Sequence, residues 1–299
     1  MTQAMVEQVE GVAQPVLGAR GLVRGFGGRR VLDGVALQVA PGSVVGLAGR
    51  NGAGKTTLIE CLLGLQRPDQ GEAWLLGRPS QRLGDAEKAR LGYVAQRPDS
   101  FGWMRVGAML DFVAGLYPRW DHGLAAQLLQ RWGLHRDRWL RELSPGQRQQ
   151  VAIVRALAPR PDLLVLDEPA AALDPVARRA LLREIVDGVL EHGSTVLFSS
   201  HILSDLERVA SHVAVLHGGR LLLHESLDAL KDGVRRAWLP AGAPLPPQPL
   251  PGELARRRLD DGGWSLLLRG EPARLREALP AAAQLHALGL EDLFVELAG

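Results

Sequence analysis

From Val16 to about Gly233 the chain alternates short apolar or β-branched runs with longer stretches of helical period. The runs Gly42–Ala48, Leu91–Ala95, Leu163–Leu166, Thr195–Ser199 and Val213–Leu216 hold almost no charge, which predicts strands covered on both faces. Lys55–Gly64 and Pro175–His192 between them have the length and pattern of amphipathic helices. Strand, helix, strand in this rhythm means a mostly parallel sheet with helices on its faces, an α/β fold. Residues 97–160 break the rhythm: they carry helical pattern and almost no strand signal, which predicts a helical subdomain. Residues 1–15 are polar and unpatterned and read as a flexible start.

Residues 237–252 hold six prolines in sixteen positions. Proline donates no ladder hydrogen bond and breaks helix interiors, so this stretch reads as an extended linker. It predicts a body over residues 16–233 and a small α+β domain over 253–299. In the latter, a turn at Asp261–Gly263 separates two strand-like runs, and helices are expected near Glu271–Leu279 and Glu291–Leu297.

Composition narrows the function. The 299 residues carry 35 Lys and Arg against 33 Asp and Glu, a formal net charge of +2, so nothing global favours nucleic acid. With 46% hydrophobic and 23% charged residues, disorder throughout is excluded. No apolar run nears the ~18 residues a membrane span needs. The start lacks a basic-then-apolar leader, which predicts a cytoplasmic chain. A single cysteine, Cys61, excludes an internal disulfide; on a helix face toward the sheet it is expected to be buried and inert. His212 and His217 flank a strand with no third ligand in view, so a metal site there is rejected. Lysine occurs only at positions 55, 88 and 231, which makes each a candidate for a place that needs a compact point charge.

Lys55 falls in the sharpest motif. Gly49-Arg50-Asn51-Gly52-Ala53-Gly54-Lys55-Thr56-Thr57 follows a predicted strand and opens a predicted helix. Glycines let successive backbone N–H groups turn toward one anion, and the helix N-terminus adds partial positive charge. Lys55 would reach the β- and γ-phosphates of a nucleotide, and the Thr56 hydroxyl would hold Mg²⁺. Downstream, Leu163–Leu166 ends in Asp167-Glu168-Pro169, which puts two carboxylates at the ligand-binding edge of the sheet. Asp167 would complete the Mg²⁺ shell and Glu168 would polarise a water. Between the two lies Leu143-Ser144-Pro145-Gly146-Gln147, followed by an amphipathic helix through Leu157. Ser144 can cap that helix, and Pro145 suits its first position, where no N–H is needed.

In this order the three motifs resemble the ATP-binding cassette (ABC) family over roughly residues 16–233. The resemblance implies a P-loop NTPase (RecA-like) core with an antiparallel β subdomain and an α-helical subdomain, plus the C-terminal appendage. It implies ATP and Mg²⁺ as bound groups, with Gln96 at the Mg²⁺ and His201 at the γ-phosphate. Ser144, Gly146 and Gln147 match the family's signature, which closes on ATP held by a second subunit, and Asp174 matches its D-loop. Phe26 stands where the family places an aromatic for adenine, a core role being the competing reading. The family's glycine is replaced by Pro145, and alanines fill D-loop positions that often carry a hydroxyl. The resemblance further implies a second ABC subunit, an identical copy being expected, and a separate membrane permease that holds the chain at the cytoplasmic face. Phe198–Glu207 and Leu290–Leu297 look like bacterial ABC-2-type exporter ATPases. A soluble translation or DNA-repair ATPase is the alternative; a P-loop kinase would leave Ser144–Gln147 and His201 without a role. Among the aromatics of residues 101–120, Phe112 and Tyr117 are expected in the helical core, and Phe101 and Trp103 on a loop that anchors the permease.

Overall fold

The computed structural model describes residues 14–97, 101–171, 173–190, 193–245 and 248–298. The chain opens with β1 (Leu17–Phe26) and β2 (Arg29–Val39), an antiparallel pair turned by Gly27 and Gly28 at positive φ. Next come β3 (Val44–Ala48) and α1 (Lys55–Leu62), then β4 (Gln70–Leu75) and β5 (Arg78–Pro79). The short α2 (Asp85–Lys88) leads into β6 (Leu91–Val94). The helical stretch holds α3 (Val106–Ala114), α4 (His122–Arg131) and α5 (Pro145–Leu157). There follow β7 (Leu163–Leu166), α6 (Pro175–Leu190), β8 (Thr195–Ser200), α7 (Leu203–Val209), β9 (His212–His217) and β10 (Arg220–Ser226). The remainder is α8 (Leu227–Gly233), β11 (Val234–Leu239), β12 (Glu253–Arg258), β13 (Trp264–Arg269), α9 (Pro272–Ala278), β14 (Gln284–Ala287) and α10 (Leu290–Ala298).

Three sheets result, in orders β2-β1-β4-β5, β10-β9-β3-β8-β7-β6 and β12-β13-β11-β14. In the six-stranded sheet every pairing is parallel except β9 with β10. All five residues of β3 are buried, as are all four of β7 and all six of β8, the mark of strands covered on both faces. Their side chains alternate between two cores. Val44, Leu164, Leu166, Val196 and Phe198 point to the face covered by α3 to α7, while Val45, Leu47, Leu163, Val165 and Leu197 point to α1 and the antiparallel sheet. The five predicted parallel strands are present to within two residues at each end, and the predicted helix end at His192 lies outside the described residues.

Two expectations change. The stretch 237–252 does not separate the appendage from the body: its first three residues end the strand Val234–Leu239, which pairs with both Trp264–Arg269 and Gln284–Ala287. Prolines 240–251 therefore join two strands of one sheet, a pairing that composition cannot display. Phe112 is not core: α3 buries Val106, Met109, Leu110 and Val113, an i, i+3, i+4, i+7 stripe that leaves position 112 outside it, and Phe112 is 54% exposed. Tyr117 packs partly against the core as expected.

The appendage is packed onto the body by α10. Leu290 and Leu293 share the body's large core, and the Leu290 N–H donates to Glu207 Oε1 on α7 at 3.1 Å. On its other side, α10 sends buried Glu296 to the appendage sheet, within 3.4 Å of Arg236, Arg257 and Ser265.

Candidate functional site

The carboxyl ends of β3, β6, β7, β8 and β9 lie along one edge of the sheet, and each delivers chemistry there. The turn after β3 is compressed against its surroundings. A Cβ on Gly49 would stand 2.7 Å from the Leu216 carbonyl, so only glycine fits. Gly54, at φ +105°, caps α1 with its backbone and starts the helix at Lys55.

Lys55 is 6% exposed and curls back over the loop: Nζ donates to the Gly49 carbonyl at 2.7 Å and stands 3.1 Å from Glu168 Oε1. Glu168, 5% exposed, sits at φ +49°, a left-handed turn that reverses the chain where β7 ends. Its Oε2 lies 2.8 Å from His201 Nδ1, while Oε1 accepts no aligned hydrogen bond. Asp167 is fully buried: Oδ2 accepts from the Thr56 hydroxyl at 2.6 Å and Oδ1 from the Ser199 hydroxyl at 2.5 Å. Ser199 also accepts from the Glu168 N–H at 2.9 Å, so one serine fixes both acids. Sequence reasoning missed Ser199. The register explains it, because β8 lies between β3 and β7 and pairs with both.

Burial pushes the Tyr93 phenol up to about 12, with the charges of Asp167 and Glu60 adding to it. The Glu60 carboxyl is likewise raised, by burial first and then by Asp167. The Asp167 carboxylate acts on both groups by its charge, and it and its partner Thr56 are hard oxygen donors. A hydroxyl and a carboxylate oxygen 2.6 Å apart are the donor set a divalent cation such as Mg²⁺ takes, with Thr56 on the cavity side and Asp167 behind it.

Lys55, Thr56 and Glu168 open on a cavity of 790 Å³, within the range that takes a nucleotide, while Asp167 and His201 lie behind them and do not line it. Arg50 to Thr57, Gln96 and Glu168 line it, joined by Arg29, Arg30, Val31, His217, Gly218 and Gly219, which the motifs do not mark. Phe26 does not line it. Its ring is 44% exposed, so it is no core residue, and the Arg24 guanidinium covers one face at 4.6 Å.

The signature residues stand outside this cavity, at the head of α5. Ser144 Oγ accepts from the Gln147 N–H at 3.2 Å and the Gln147 side chain accepts from the Ser144 N–H at 3.0 Å, a reciprocal cap with Pro145 at the first helical position. Ser144 is exposed and Gly146 buried. Asp174 accepts from the Val176 and Ala177 N–H groups at the start of α6, and these bonds hold its carboxyl below the usual range. Neighbouring Ala172 lies outside the described residues, as do Pro98, Asp99 and Ser100 of the aromatic loop. Phe101 is partly buried against the core, so of the two loop aromatics only Trp103, 71% exposed, stands free; the Phe101 ring meets those of Trp103 and Phe112 edge-on. Cys61 is fully buried, and burial pushes its thiol up to about 11.

Residues 32–171 match the model of the ABC transporter family. The methionine import ATP-binding protein MetN of Mesorhizobium japonicum is 35% identical over 87% of this chain and 74% of its own length. The chain belongs to the ABC transporter ATP-binding proteins. The Nod factor export ATP-binding protein I of Cupriavidus metallidurans is 33% identical over 95% of this chain and 97% of its own. A solved ATP-binding subunit of an ABC transporter superposes with a TM-score of 0.65 at 29% identity, over 72% of this chain and 92% of that one. The fold is accordingly that of the ABC cassette, a P-loop core with antiparallel and helical subdomains, and its activity is ATP hydrolysis coupled to transport. Among the described residues no helix is long and apolar enough to cross a membrane.

Proposed function

We propose that the chain powers export through a separate membrane permease, as one of two cassettes paired head to tail. One observation carries the pairing: Lys55, Thr56 and Glu168 line one cavity, backed by Asp167 on Thr56 and His201 on Glu168, while Ser144, Gly146 and Asp174 stand apart from it. A second copy would supply the missing side. Export is supported by the likeness to the Nod factor exporter subunit, which runs through the appendage.

In this reading the glycine-rich turn takes the triphosphate of ATP on its N–H groups. Lys55 exchanges the Glu168 carboxylate for the β- and γ-phosphates, which frees Glu168 Oε1 to accept a proton-bearing water. His201 holds Oε2 and orients the carboxylate toward that water. Thr56 and Asp167 would hold Mg²⁺, with Gln96 beside them; the ion supplies charge neutralisation on the phosphates. Ser144 and Gly146 of the opposite subunit close on the γ-phosphate, and Asp174 lies at the seam. Phe26 offers its uncovered ring face to the adenine. Trp103 docks the permease next to Gln96, which places the chain on the cytoplasmic face of the membrane.

Glu168→Gln tests it. The amide keeps the shape but not the base, so turnover should fall by about 10²–10⁴-fold while ATP stays bound and the pair persists in size-exclusion chromatography. Wild-type turnover, or a monomer with ATP bound, would sink the reading.

A further inference from the structure

The motifs account for the triphosphate half of the cavity and leave its other wall unexplained. That wall consists of Arg29–Val31 at the start of β2 and His217–Gly219 where β9 turns into β10. The two pieces come from different sheets. They abut the glycine-rich loop at both ends: the Val31 carbonyl stands 3.0 Å from where a Gly54 Cβ would lie, and the Leu216 carbonyl 2.7 Å from a Gly49 Cβ.

One residue ties them together. The Asp33 N–H donates to the Gly219 carbonyl at 2.9 Å. Its Oδ1 accepts from Arg30 Nη1 at 2.6 Å, and its Oδ2 accepts from both Nε and Nη2 of Arg220, at 2.8 and 2.6 Å. Gly219, at φ +79°, leaves 2.5 Å between a would-be Cβ and the Val31 carbonyl, so the turn lies flush on β2. The Arg220 and Arg30 hydrogen bonds hold the Asp33 carboxyl below the usual range, and it stays charged. Arg29 has no ion pair among the described residues and presents a free guanidinium to the cavity.

We propose that Asp33 is a positioning residue for the nucleoside half of the bound nucleotide: by clasping Arg30 to Arg220 it holds the Arg29–Val31 and His217–Gly219 wall against the ribose and base. The proposal rests on the cavity being the nucleotide site. A clasp of this kind acts on ground-state binding and transition state alike, so its loss should raise KM and leave kcat in place.

The test compares ATP with inorganic tripolyphosphate, which has the phosphates and lacks the nucleoside. In Asp33→Asn, ATP affinity should drop about tenfold, as for loss of one charge-assisted link. Tripolyphosphate affinity should stay within a factor of about two, and kcat at saturating ATP likewise. Arg220→Ala, at an exposed side chain, should reproduce the shift with unfolding by circular dichroism unaltered, Arg220→Lys should restore part of it, and the double variant should be no worse than either single one. An unchanged ATP affinity in both variants overturns the proposal. So does an equal loss for ATP and tripolyphosphate, which would make the clasp a support for the whole loop. Lys55→Ala separates the two levels: if it leaves tripolyphosphate binding intact, the reading of the cavity fails, whereas a loss there with no effect of Asp33→Asn refutes the clasp alone.

Discussion

The P-loop end and the signature end of this cassette solve opposite problems. At the P-loop end, Lys55, Asp167 and Glu168 are buried, Lys55 paired with Glu168 and Asp167 held by Thr56 and Ser199, so charge is confined and pre-aligned in a small space. At the signature end, Ser144 and Gln147 satisfy each other as a helix cap and face outward. Buried charge without a partner is costly, and the P-loop end meets that cost with the Lys55–Glu168 pair, which in the proposed function a nucleotide replaces. A capped helix end costs little when solvated, and here the reciprocal cap takes the Ser144 and Gln147 N–H groups and leaves that of Gly146 outside it. One end carries the chemistry and the other waits for it.

Substitutions at the two ends should therefore behave differently. Lys55→Ala removes the phosphate contact and strands Glu168, and ATP affinity measured by equilibrium binding should fall by at least about 10²-fold. Unchanged affinity would remove the contrast altogether. Ser144→Arg should instead bind ATP normally in the isolated chain and lose turnover. Mixing it with Lys55→Ala then sharpens the point. A mixed pair retains one intact composite site, so two inactive proteins should recover up to about a quarter of wild-type ATPase on mixing. No recovery would mean that each chain completes its own site.

A third surface lies outside both ends. Trp103→Ala should weaken co-purification with the permease by roughly 1–3 kcal/mol, with ATPase of the isolated chain unaltered. Full recovery of the permease would make the exposed ring a bystander. The smallest effect on the fold belongs to Ser144→Ala, which removes the cap along with the hydroxyl proposed to meet the opposite subunit's γ-phosphate. Thermal unfolding should report a loss of about 1 kcal/mol, with ATP affinity untouched.

What the sequence disclosed follows the same division. The P-loop was legible because glycine, lysine and threonine at fixed spacing have one physical use there, and the strand before and helix after it are strongly patterned. The cap at Ser144-Pro145 was legible because it is local. Ser199 was not: a serine at the end of a strand carries no signal until the register sets it between two acids. Asp33 and Arg220 stand 187 positions apart, and nothing in either neighbourhood announces the other. Phe112 was misplaced because an almost wholly apolar helix does not show which stripe it buries. The role of the proline-rich stretch was misread because composition reports what a segment cannot do and says nothing of the strands on either side.

The seat of α10 on α7 bears on the order in which the molecule is made. Glu207 and its partner Leu290 are 83 positions apart, so on the ribosome α7 emerges long before the helix that covers it. α7 begins directly after His201, and Leu203 and Leu206 belong to the same core as Leu290 and Leu293. The apolar ground under the histidine turn thus stays open while the whole appendage is being synthesised. A nascent cassette is in this sense unlatched: its nucleotide loop can fold early, and its catalytic edge gains full support only when α10 arrives.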